Sequence, residues 1–131
     1  MLEARPATRA DGAVIAGAGL LGFSAVAAGA FGAHSVADPT VKMLIQTGGH
    51  YALAHALAAL AAIGVVRFRA RPARWAAGCF LAGGAVFSGS LYALALGGVR
   101  WLGAITPIGG LLMLAGWALL AWSGLTLKAE R

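Results

Sequence analysis

Polar residues in this chain are gathered into short islands, neither alternating as in a half-buried strand nor confined to one stripe of a soluble helix. Between the islands lie four stretches, 12–37, 43–66, 75–99 and 101–127, that contain no Lys, Arg, Asp or Glu. Each exceeds the roughly 20 apolar residues that a helix rising about 1.5 Å per residue needs to cross a hydrocarbon layer about 30 Å thick. Segments such as AVFSGSLYALALGG and LLMLAGWALLAW are apolar nearly all round, which excludes a water-soluble four-helix bundle. Membrane-spanning strands need about 10 residues of alternating pattern, and none appears. The pattern therefore predicts an all-α protein: an integral membrane four-helix bundle, a single domain over 1–131, with spans at about 13–34, 44–66, 75–97 and 102–123.

Local signals punctuate these spans. Asp38 followed by Pro39 reads as an N-cap with proline in the first turn, so the second helix is expected to start near residue 39. Counted to Val66, it would be about 42 Å long, more than the bilayer needs, and should project outward, tilt, or bend at the adjacent Gly48 and Gly49. The outer segment HSVADPTVKMLIQTGGH is long, whereas only GGVRW joins the third and fourth spans, which predicts a tight hairpin. Pro107 in ITPIGG is expected to leave a backbone carbonyl free within the fourth span. A cleaved secretory signal over residues 1–33 is disfavoured, because the apolar run is longer than the roughly 7–15 residues of a signal core.

Composition agrees with a lipid solvent: 60% of the 131 residues are hydrophobic and 11% charged. The net charge of +6 does not point to nucleic acid, because four of the ten basic residues crowd into the connection RFRARPAR, which is a topology signal. With four spans, Arg5, Arg9, Arg67, Arg69, Arg71, Arg74, Lys128 and Arg131 share one side, and only Lys42 and Arg100 the other. Basic loops stay cytoplasmic, so both termini are expected inside. Trp75 and Trp122 then fall at the inner interface and Trp101 at the outer one. Anionic lipid headgroups are expected partners of Arg67, Arg69, Arg71 and Arg74. The single cysteine, Cys79, excludes an intramolecular disulfide.

Candidate chemistry is confined to hydroxyl and imidazole groups inside the spans. Thr47, Tyr51 and His55 repeat every four residues and share one helix face; His50 pairs with Gln46 at the same spacing. His50 and His55 point about 140° apart, so this helix alone does not chelate a metal with them. Ser88, Ser90 and Tyr92 of the third span reach the same half of the bilayer as Tyr51 and His55, and Thr106 of the fourth can bond a neighbouring helix. Such groups need partners, because an unpaired polar group in hydrocarbon costs several kcal/mol. Two uses are expected: hydrogen bonds that set helix register, or a polar site facing a cavity. His55 should be neutral, a hydrogen-bond partner first and a proton carrier only if water reaches it. A metal held by His34, Asp38 and His50 lacks a recognised ligand spacing, and a hydrolase using Ser88 or Ser90 with His55 lacks both a G-x-S-x-G turn and an acidic orienter. No cofactor, metal or catalytic residue is therefore expected. Small residues four apart, Ala25, Gly29 and Ala33 in the first span and Gly84 with Ser88 in the third, allow close helix approach, either within the chain or to another copy.

Four blocks in order, GAFGAH at 29–34, QTGGHYALAHAL at 46–57, FSGSLYALALGG at 87–98 and ITPIGGLLMLAGW at 105–117, resemble the small integral membrane proteins of domain of unknown function 423. The animal transmembrane protein 256 is similar. The resemblance covers nearly the whole chain beyond the first dozen residues and before the tail. It implies a multi-pass protein of the bacterial cytoplasmic (inner) membrane, with no activity to carry over. The motif positions are Gly29, Phe31, Gly32, His34, Thr47, Tyr51, His55, Ser88, Gly89, Ser90, Tyr92, Thr106, Pro107 and Gly109. Ala52 and Ala54 depart from it, standing where bulkier or more polar side chains are expected. The expected role is non-enzymatic, structural or interacting, with a homo-oligomer or another membrane protein as partner. The alternative is a small-solute or proton pathway, or a ligand site, around His55, Tyr51 and Ser88/Ser90, built by an oligomer.

Overall fold

A computed structural model describes residues 5–128 and contains four long α-helices: α1 (Arg9–Ser35), α2 (Pro39–Val65), α3 (Ala70–Gly97) and α4 (Thr106–Leu125). All four are long and apolar enough to cross a membrane, the last when counted from Arg100, and no strand occurs among the described residues.

Helix boundaries follow capping chemistry. The Thr8 hydroxyl accepts from the Asp11 amide while the Asp11 carboxylate accepts from the Thr8 amide, a reciprocal box that starts α1. Asp38 Oδ1 accepts from the amides of Thr40 and Val41 at 2.8 and 3.0 Å, starting α2 where the Asp-Pro pair predicts. The connection between the first two spans is far less of a loop than its length suggests, because α1 runs to Ser35 and leaves only Val36 to Asp38 as a connector. The α3–α4 connection is less tight than predicted. Gly98 takes the left-handed conformation (φ 63°) that ends α3, and a 3-10 helix over Arg100–Ala104 follows. Pro107 explains why α4 restarts at Thr106: its ring would clash with a carbonyl one turn back in a continuous helix. It therefore sits in the first turn of α4, where the helix has no internal acceptor for a backbone N–H in any case.

Burial on each helix advances in steps of three and four residues. The seams read Asp11, Val14, Ala18, Leu21, Ala25, Ala28, Gly32 on α1; Ile45, Gly48, Ala52, His55, Ala59, Ala62, continuing to Val66, on α2; and Thr106, Gly109, Met113, Gly116, Leu120, Ser123 on α4. A mean of about 3.5 residues is the repeat of left-handed helix packing. Half of these seam residues are Ala or Gly, while Leu20, Phe23, Trp75 and Leu125 are at least 70% exposed. Water would reverse that sorting; hydrocarbon does not penalise exposed leucine, and contact between helices is won by small residues that let backbones approach.

α2 packs on α1 and α3, α3 packs also on α4, and α1 touches α3 only lightly and does not pack on α4. The helices converge at the end that holds the α2–α3 turn, where Val14, Leu119 and Leu120 close on Ala58, Ala59, Ala62, Ala76, Ala77 and Phe80. Polar clasps tie this end together. Arg5 donates to Asp11 Oδ2 at 2.6 Å, Arg74 lies 3.7 Å from Asp11 Oδ1, and Arg69 donates to Thr126 Oγ1 at 2.9 Å. Arg69 and Arg74 thus have partners inside the chain, which narrows the four-arginine headgroup surface expected from RFRARPAR. Arg67 lies over the Phe68 ring, and Arg71 is exposed.

Candidate functional site

His55 is buried midway along α2, and both ring nitrogens are occupied. Nδ1 lies 2.8 Å from the Tyr51 carbonyl oxygen, one turn back on the same helix. Nε2 lies 3.1 Å from Trp117 Nε1 on α4. An indole N–H only donates, so Nε2 accepts, and Nδ1 carries the proton that it donates to Tyr51. This is a neutral imidazole with no lone pair left for a metal.

Aromatic rings surround the pair. Tyr51 stacks on His55 with centroids 6.0 Å apart, and Phe80 lies 5.6 Å from His55 and 4.9 Å from Trp117. Phe87 closes on Tyr51 at 4.7 Å. Above them runs a groove of about 340 Å3 between α2 and α4, lined by Tyr51, His55, Phe87, Gly110, Met113, Leu114 and Trp117. The floor is α3, held against α4 by backbone contact. A Cβ added at Gly109 would sit 2.5 Å from the Phe87 nitrogen and 2.8 Å from the Gly83 oxygen. These glycines bring α4 close enough for the Trp117 side chain to reach over α3 to His55.

The other residues singled out in the sequence do not join this cluster. Ser90 and Thr106 form their own bridge between α3 and α4, with hydroxyls 2.7 Å apart, and Ser90 also donates to the Phe87 carbonyl. Ser88 turns back onto the Gly84 carbonyl at 2.6 Å. Tyr92 faces α1 and α2: its ring fills the space over Gly48, where a Cβ would meet it at 2.7 Å, and its buried hydroxyl makes no hydrogen bond of good geometry among the described residues. Gly48 and Gly49 therefore make room for a neighbour, with Gly49 close to the Ala25 carbonyl oxygen. Thr47 is half-buried, His50 and His34 are exposed, and Asp38 is engaged as the α2 cap. No three His, Cys, Asp or Glu side chains converge among the described residues. Ala52 is fully buried beside α1, where a larger side chain would not fit, whereas Ala54 is exposed. Of the small-residue pairs, Gly84 and Ser88 are buried within the chain, while Gly29 has open space at its Cβ position and Ala33 is exposed.

Trp117 is the residue that sequence reasoning missed. Its signal was position: Trp75, Trp101 and Trp122 lie near span ends, but Trp117 stands inside the fourth stretch, where an indole N–H surrounded by hydrocarbon needs an acceptor.

Comparison with known proteins places this chain among bacterial membrane proteins. A family model described as "Protein of unknown function (DUF423)" matches residues 28–110. The UPF0382 inner membrane protein YgdD of Escherichia coli K12 is 44% identical over 117 residues, covering 86% of this chain and 89% of the relative. A UPF0382 membrane protein of Haemophilus influenzae is 40% identical over 114 residues, 84% of this chain and 91% of the relative. One from Staphylococcus haemolyticus is 42% identical over 99 residues, 72% and 80% of the two chains. No solved structure matches.

Proposed function

The chain belongs to the DUF423 family, and from that premise we propose that it is a non-enzymatic component of the bacterial inner membrane, which meets other membrane components through its helix faces and transforms no substrate. It is a multi-pass membrane protein, and the bilayer is its first partner. The observation that carries the proposal is the closed hydrogen bonding of His55, between Tyr51 and Trp117. A proton or solute pathway would require a polar lining, but the hydroxyls of Ser88 and Ser90 turn to backbone carbonyls of their own helix, and although Ser24, Ser88 and Tyr92 border one groove and Tyr51 and His55 the other, the surface that both present is mainly apolar.

The test is His55→Leu in proteoliposomes. Lower stability with unchanged proton and solute leak is expected. A flux carried by the parent protein and lost in a folded His55→Leu variant would overturn the proposal and favour a pathway.

The orientation belongs to the same proposal. The α2–α3 turn and the ends leading to both termini lie together, carrying Arg5, Arg9, Arg67, Arg69, Arg71, Arg74 and Lys128, and the positive end stays in the cytoplasm. Arg67 and Arg71 are there to meet anionic headgroups. In a Cys79→Ser background, Ala37→Cys should label from outside and Ala70→Cys only from inside; the reverse would overturn the orientation.

A further inference from the structure

The face of α2 turned away from α1 and α3 carries Gln46, His50, Leu53, Leu57, Leu60 and Gly64, all exposed. They follow one another in steps of four, three, four, three and four, the repeat that the chain uses for its own buried seams. Leucines on such a face could simply meet lipid. Gln46 and His50 cannot do so without cost, and neither side chain has a hydrogen-bond partner among the described residues. Their depth follows from α1: Gly49 packs against the Ala25 backbone, and Ala25 lies about 20 Å along α1 from Gly12, where the uncharged stretch begins. His50 is therefore about 10 Å below the outer edge of a hydrocarbon layer about 30 Å thick, and Gln46 about 6 Å above it. A lipid-facing imidazole at that depth lacks what intramembrane polar groups are usually given, a partner on another helix.

We propose that this face is the interface of a symmetric dimer, in which α2 packs in parallel against α2 of a second copy of this chain. The inference rests on the interaction role proposed above and names its partner. Two-fold symmetry about the membrane normal sets each seam residue against its own counterpart. The polar members suit that arrangement. A carboxamide both donates and accepts, as does a neutral imidazole, so Gln46 and His50 can each bond to their counterparts without any other residue type. Gly64, at whose Cβ position nothing lies within 4 Å, gives room for the partner backbone at the inner end. A polar residue at a core position of a paired helix also selects the register, since any shift leaves it facing leucine.

The test uses the full chain in native membranes with Cys79→Ser and one introduced cysteine. Oxidation should give dimers at Leu57→Cys and Gly64→Cys in clear excess over Phe23→Cys on α1 and Leu111→Cys on α4, both exposed positions. Equal or stronger crosslinking through Phe23 or Leu111, crosslinking only to a different protein, or no dimer at any seam position would overturn the proposal. In proteoliposomes, Gln46→Leu combined with His50→Leu should weaken dimerisation measured by energy transfer on the order of tenfold, with monomer melting unchanged. Unaltered affinity would overturn it. Failure here would leave the His55 result standing, because that experiment reads leak and stability, and this one reads association.

Discussion

Two flanks of α3 meet their neighbours in opposite ways. Toward α4, Gly83 and Gly109 put backbone against backbone, the Ser90 and Thr106 hydroxyls join, and Trp117 reaches past to His55. Toward α1 the same helix leaves an open groove of about 580 Å3, with Gly17, Ser24, Ala85 and Gly89 among its lining. Both flanks contain glycine and serine. Small residues therefore permit close packing without causing it; what closes the α4 flank is that glycines oppose each other in register, reinforced by interhelical hydrogen bonds. On the α1 flank, direct contact is limited to side chains such as Leu21 over Gly84 and Leu81 over Gly17, and most of the packing passes through α2, where Ala18, Leu21 and Ala25 meet Ala52 and Ala56.

The sharpest way to break this contrast uses two glycines of one helix. A Cβ at Gly83 would lie 2.8 Å from the Gly109 oxygen, the Met113 nitrogen and Met113 Cγ, whereas nothing lies within 4 Å of one at Gly89. Gly83→Ala should destabilise the chain by about 3 kcal/mol, because backbone atoms cannot yield as a side-chain tip can. Gly89→Ala should be neutral or stabilise by up to about 1 kcal/mol through helix propensity. Unfolding in mixed micelles compares them, and equal effects would refute the contrast.

A smaller effect is expected at the bridge over α3. Trp117→Phe keeps most of the ring but removes the donor, leaving His55 Nε2 unpaired, at a cost of about 1–2 kcal/mol. In a double-mutant cycle with His55→Leu, the coupling should be about 0.6–2 kcal/mol. Additive losses would mean that the bond contributes nothing.

The smallest effect belongs to the α1 side. Tyr92→Phe removes a buried hydroxyl that makes no hydrogen bond of good geometry among the described residues, so stability should stay within about 0.5 kcal/mol of the parent or rise. A loss above about 1 kcal/mol would show that this hydroxyl has a partner after all.

The candidate site was only partly legible from the chain. His55 stood out because an imidazole among alanines is conspicuous, and Tyr51 because it lies one turn away. Their grouping with Ser88, Ser90 and Tyr92 rested on shared depth, and depth does not specify direction around a helix. Tyr92 turns to α1 and α2, Ser90 to α4, and Ser88 to its own backbone, so with the His55–Tyr51 pair one expected cluster is four separate arrangements. The same ambiguity hid Trp117, whose acceptor lies 62 positions away in the sequence.

The sequence by itself determined the solvent and the number of crossings, because the length of an uncharged apolar run and the positions of charges are one-dimensional properties, and transfer into hydrocarbon depends on little else. Caps were likewise local: Asp38 before Pro39 starts α2 whatever surrounds it. Which face of each helix is buried was left to the tertiary structure. When every face is apolar, hydrophobicity no longer separates inside from outside, and the choice passes to the fit of small residues and to a few hydrogen bonds between helices distant in sequence. Gly109 and Gly110 are neighbours of identical chemistry, yet one lies against the backbone of α3 and the other lines an open groove, a difference set by where α3 runs.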